Sequence, residues 1–241
     1  MRKVLGFSHI VIESDNIKED LKNFIMHGYN VRFSKRLIVQ KEKQKILCKK
    51  PSIVKAIFLE KKNSLNIELI EHNIQRKSQF NKVLIGTYLN EDKSLLNYCM
   101  NDKLFMNSLN IIIKTNNFFK EINFYKKMFK MKNLKISKKQ FEYFNNNINN
   151  LYEVKGLKLI NNLFIRNQIN FYFLKIKYNK KKFYLNESGI SCISFFDFYK
   201  NSDQLLDKLF CGPLKLNIKE SKISKYYFIK DPDQYLIEVL N

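Results

Sequence analysis

The chain has 241 residues, 45% hydrophobic and 14% aromatic, with only 3 Pro and 6 Gly, which excludes a fibrous or disordered protein and leaves room for one large or two small packed cores. No apolar run reaches the roughly 18 to 20 residues of a membrane-crossing helix, so a soluble protein with no membrane partner is expected. The formal charge of +22 would attract nucleic acid, but its lysines are dispersed along the chain with an excess of Asn and Ile, so only weak, sequence-independent binding is expected.

The first stretch, Gly6-Phe7-Ser8-His9-Ile10-Val11-Ile12, is rich in β-branched residues and predicts a strand. A helix follows: Asp15 or Asn16 can cap it, Ile17, Leu21, Phe24 and Ile25 recur at helical spacing, and Gly28 stands where a left-handed end is wanted. Three extended stretches complete a β-α-β-β-β order: Tyr29 to Leu37, Ile53 to Glu60 and Leu65 to Glu71. This unit takes up residues 1–73. Residues 74–106 read as a partly helical connection.

The same order returns over residues 107–180. A strand at Leu109 to Lys114 precedes a helix carrying Phe118, Ile122, Tyr125 and Met128, then strands at Leu134 to Ser137, Leu157 to Ile165 and Ile169 to Lys177, with the Asn-rich tract Asn145 to Asn150 as an exposed loop. A third unit occupies residues 186–241. Its strand starts at Gly189, its helix runs through Leu205, Leu206 and Leu209 to Gly212-Pro213, and strands at Leu214 to Ile218, Lys225 to Ile229 and Tyr235 to Leu240 close it. The fold class is therefore α+β, built from repeated βαβββ units in mixed, cupped sheets. Such sheets bury their faces in pairs, so three units imply a degenerate fourth in the connection, an atypical pairing, or a second copy in a homodimer.

Phe7-Ser8-His9-Ile10-Val11-Ile12 with Gly28-Tyr29-Asn30-Val31, Phe124-Tyr125-Lys126-Lys127-Met128-Phe129, and the closing Asp231-Pro232-Asp233-Gln234-Tyr235-Leu236-Ile237-Glu238 resemble modules of the vicinal oxygen chelate (glyoxalase, bleomycin-resistance and extradiol dioxygenase) superfamily. Gln234-Tyr235 departs from the family's usual Gly-Asn. The resemblance implies a half-barrel holding a divalent metal, with ligands from first and last strands. Carried over, these are His9 and Glu68 from the first unit and Glu238 from the third, where Cys192 replaces the His. The second unit has Asn110 at the His position and Phe171-Tyr172-Phe173 where a carboxylate would stand.

Glu68 and Glu238 lie in apolar runs, where a buried carboxylate needs a counter-charge, hydrogen bonds or a metal. A His with two carboxylates suits Mn, Fe, Ni or Zn, which would polarise a carbonyl of a small oxygen-rich substrate in a lyase or isomerase. The alternative is a metal-free small-molecule-binding protein of the same fold, its cleft lined by some of the 21 Phe and 13 Tyr. Residues for the chemical step itself are not assigned. Cys48, Cys99, Cys192 and Cys211 are scattered without a C-x-x-C pair, so a reducing, cytoplasmic setting is expected.

Overall fold

A computed structural model describes residues 5–78, 80–87, 99–105, 108–160, 168–180, 182–197, 209–215 and 225–241. It opens with β1 (Leu5–Glu13), α1 (Ile17–Met26), β2 (Asn30–Ile38), β3 (Ile53–Glu60) and β4 (Ile67–His72). Asn16 caps α1 by accepting from the Glu19 amide, Glu19 and Asp20 meet the positive end of the helix dipole, and Gly28 at φ +80° turns the chain out of it. Ile17, Asp20 and Phe24 are the residues α1 buries, with Asp20 accepting from the Ser14 hydroxyl.

The connection differs from the helical expectation: its described part forms the short strands β5 (Val83–Thr87) and β6 (Cys99–Asn101) and a 3-10 turn at Lys103–Phe105. Val83 to Ile85 are all buried, and a short, wholly buried apolar run suits a central strand. Next come β7 (Leu109–Thr115), α2 (Phe118–Phe129), β8 (Lys132–Leu134), α3 (Lys138–Asn147), β9 (Glu153–Ile160) and β10 (Gln168–Lys175). Helix α3 takes in Asn145 to Asn147, half of the expected Asn-rich loop. Its start is fixed by a capping box between Ser137 and Gln140.

The chain ends with β11 (Gly189–Asp197), β12 (Leu209–Lys215), β13 (Lys225–Lys230) and β14 (Leu236–Leu240). Gly212 and Pro213 lie inside β12 rather than at a helix end, because the strand accommodates Gly212 at φ +111°. The rest of the expected third helix falls on residues 198–208, outside the described ones.

Two compact units result, and the first is discontinuous: residues 1–79 with 182–241 form one, and residues 80–181 the other. The first unit's sheet runs β12-β13-β14-β11-β1-β4-β3-β2 and the second's β6-β5-β7-β10-β9-β8. In the first, β1 pairs antiparallel with β11, while each is parallel to the last strand of its own module, β4 or β14. The second repeats this at smaller scale: β7 pairs antiparallel with β5 and parallel with β10, and β5 is parallel to β6. Thus β5 and β6 give β7 the partners that β11 and β14 give β1.

Candidate metal centre

Four neighbouring strands of the first unit, β14-β11-β1-β4, carry the sequence-derived residues. Alternation along a strand puts Val11 on the face of His9, Ile70 on that of Glu68, and Leu236 and Leu240 on that of Glu238. All four apolar residues belong to one buried cluster, so the three polar side chains project into the apolar interior of the cup. Ser8 on β1 and Ser191 on β11 are extra residues in the ladder, each just before the position at issue, His9 or Cys192. The bulge at Ser8 breaks the alternation between Phe7 and His9 that a regular strand would keep.

His9, Glu68 and Glu238 come together: one ligand atom of each lies within 4.8 Å of the others. His9 Nε2 is 3.2 Å from Glu68 Oε2 and 3.5 Å from Glu238 Oε2. His9 Nδ1 is 2.8 Å from the Ser8 hydroxyl, and Phe58 lies edge-on to the ring. In the tautomer with Nδ1–H donating to Ser8, the Nε2 lone pair is left for a cation between the carboxylates; in the other, Nε2–H donates to Glu68. Ser194, opposite His9 in the ladder, donates its hydroxyl to Glu238 Oε2 at 2.7 Å.

The carboxyls are held apart in acidity. For Glu68, burial pushes upward, but the hydrogen bond and charge of His9, then Lys43 and His72, outweigh it and leave the carboxyl below its ordinary value. Glu238 is driven up by burial and by the charge of Glu68, which His9, Lys43 and the Ser194 hydroxyl only partly offset. One imidazole proton satisfies one of the two carboxylates at a time. Donors at about 2.1 Å from a shared ion are about 3 to 4 Å apart, close to the spacing present, and one nitrogen with two carboxylate oxygens is a donor set for Mn, Fe, Ni or Zn. The residues fit a divalent metal.

Cys192 stands at the His9 position of the paired module but is not among these donors. It is fully buried in the apolar cluster, its Sγ lies 3.5 Å from the Ile193 carbonyl, and burial, followed by the charge of Glu238, raises its thiol well above the ordinary range. Two other features escape the sequence reading. His72, one residue past the expected stretch Leu65 to Glu71, is the last residue of β4, and its Nδ1 meets buried Glu13 at 2.8 Å. Lys43 sits on a 3-10 turn, Lys41–Ile46, with its ammonium over the rings of Tyr226 and Phe228. In sequence that turn is a run of alternating Lys, Glu and Gln, indistinguishable from a solvated loop.

No protein-family model and no curated protein matches this sequence. Among solved structures, glyoxalase I from Zea mays aligns with a TM-score of 0.55 at 13% identity, covering 99% of this chain and 93% of that one. A mutant of that enzyme gives the same score and identity over 99% and 94%. The chain thus has the vicinal oxygen chelate fold, with paired βαβββ modules in a curled sheet. At this identity the likeness is one of fold.

Proposed function

We propose that the first unit is a divalent-metal site held by His9, Glu68 and Glu238, and that the protein is a glyoxalase-like lyase or isomerase acting on a small oxygen-rich substrate. The observation that carries this reading is the meeting of three donors from three strands, two of them carboxylates, within 4.8 Å inside an apolar cup. Without a cation, two carboxylates this close, Glu238 buried and Glu68 part-buried, repel each other at a cost that removal from water raises.

The ion, when bound, would supply Lewis acidity toward vicinal oxygens of the substrate. The chain's own residues do the rest. The Ser8 hydroxyl holds the His9 ring at Nδ1 and the Ser194 hydroxyl holds the Glu238 carboxylate, which orients both donors toward the shared space. Val11, Ile70 and Leu236 make the face beside the donors apolar, and Phe58 lies edge-on to the His9 ring.

Elemental analysis of the untagged protein, purified without added metal and then after equilibration with Mn²⁺, Ni²⁺ or Zn²⁺, tests the reading. About one ion per chain in wild type, lost in His9→Ala and Glu68→Gln while thermal unfolding stays cooperative, is the expected result. Absence of metal under every condition overturns it and leaves the metal-free binding cup.

A further inference from the structure

Lys43 is delivered to the cup by a turn that is clamped from several sides. Gln40 Nε2 donates to the Lys215 carbonyl at 2.8 Å, Cys211 Sγ donates to the Glu42 carbonyl at 3.1 Å, Gln44 Nε2 donates to the Pro51 carbonyl at 2.8 Å, and the Leu185 amide donates to the Ile46 carbonyl at 2.9 Å. Ile46 and Leu47 are buried in the same cluster as Val11 and Leu236. So anchored, the turn holds the Lys43 ammonium 5.3 Å from the centre of the Tyr226 ring and 5.7 Å from that of Phe228. Tyr226 and Phe228 alternate onto one face of β13, and Phe228 is the ladder partner of Glu238.

The two ring faces favour an ammonium over a neutral amine at this place. The Tyr226 phenol is raised in pKa, chiefly by burial, and so is neutral. Near the opposite ends of β1 and β4, Glu13 and His72 pair with each other.

Resting on the metal reading above, we propose that Lys43 makes this cup selective for substrates with a single negative charge, such as monoanionic 2-hydroxy or 2-oxo acids. Two carboxylates neutralise a divalent ion and a ligating imidazole is neutral, so the ammonium leaves one positive charge in a water-poor site. A neutral substrate leaves that charge unanswered. A monoanion with vicinal oxygens answers it, the ammonium donating to the anionic oxygens while Tyr226 and Phe228 screen it from water.

The test uses the full chain loaded with Co²⁺, whose visible spectrum reports a change of ligands, titrated with glycolate and with its neutral isostere glycolamide. The preference for glycolate over glycolamide should fall about tenfold or more in Lys43→Met, or in Lys43→Gln if the methionine variant does not fold, since hydrogen bonds to a charged group are lost. Lys43→Arg should keep most of the preference, and all variants should keep their cobalt. An unchanged preference in a folded, cobalt-loaded neutral variant overturns the role of Lys43. Failure of wild type to take up cobalt overturns the metal reading instead, and the proposal falls with it.

Discussion

The two units use one strand arrangement for opposite ends. Aligning the ladders sets Asn110 of β7 against His9, Tyr172 of β10 against Glu68, Leu84 of β5 against Cys192, and Met100 of β6 against Glu238. In the second unit no ionisable carboxylate or imidazole stands at these four positions. Asn110 is satisfied locally: its amide donates to the Ser108 carbonyl at 2.9 Å, and its oxygen accepts from Asn170 at 3.2 Å. Tyr172 turns its hydroxyl to Gln140 of α3, and Phe105 and Phe144 fill the space beside it. The comparison teaches that this scaffold does not require a polar centre for its stability. Where the centre is dispensed with, a helix and aromatic side chains plug the cup.

If the second cup is a packed core, Phe144→Ala should destabilise its unit by about 3–5 kcal/mol, the usual result of emptying a buried aromatic site. Denaturant melts would measure it, and metal content should not move. A loss under about 1 kcal/mol would mean that the plug is loose. In the first cup, Glu238→Gln should weaken metal binding by about a hundredfold or more, while Asn110→Ala in the second changes it not at all; competition with a chelating dye gives both numbers. Equal effects would break the comparison.

Gly86 offers a finer probe. A Cβ there would stand 2.9 Å from Phe105 Cδ1 and 3.0 Å from Asn110 Cβ, so Gly86→Ala should cost about 1–3 kcal/mol by overpacking the plug. The ladder counterpart in the first cup is Ser194, which has a side chain and uses it on Glu238. The smallest effect concerns pH. In metal-free protein the Glu238 carboxyl is raised on folding, so its stabilising contribution is present below the unfolded carboxyl value and lost as pH rises through the folded one. Glu238→Gln should therefore gain stability relative to wild type as pH rises from 4 toward 7, measured by melts in the presence of chelator; a variant that loses stability relative to wild type over that range would contradict it.

The first unit was largely legible because its residues agree at every level: β-branched runs for β1 and β3, an Asn cap and a Gly end for α1, and apolar runs around Glu68 and Glu238. Helix α3 was not, because Asn-rich composition masks a segment that buries a single side chain, Phe144. The Ser137-Lys138-Lys139-Gln140 capping signature was there to be read. Strands β5 and β6 were missed because they are short, five and three residues, and no β-α-β-β-β order surrounds them in the sequence. His9, Glu68 and Glu238 were nameable from their motifs, but their meeting depends on β1 pairing with β11, a long-range choice no local pattern encodes. Lys43 had no signal, since its role comes from where a polar turn is clamped.

The discontinuity of the first unit bears on the order of events during synthesis. Residues 80–181 can close their sheet from local partners as soon as they emerge, whereas β1 waits for β11, which is made only after that whole insert. Until then the nascent chain presents β1 as an open sheet edge carrying an imidazole without its second carboxylate. Glu238 arrives with β14, translated later still than β11. The site is thus a late product of biogenesis, and a ribosome stalled before β14 would release a chain with a finished inner unit and only two of the three donors.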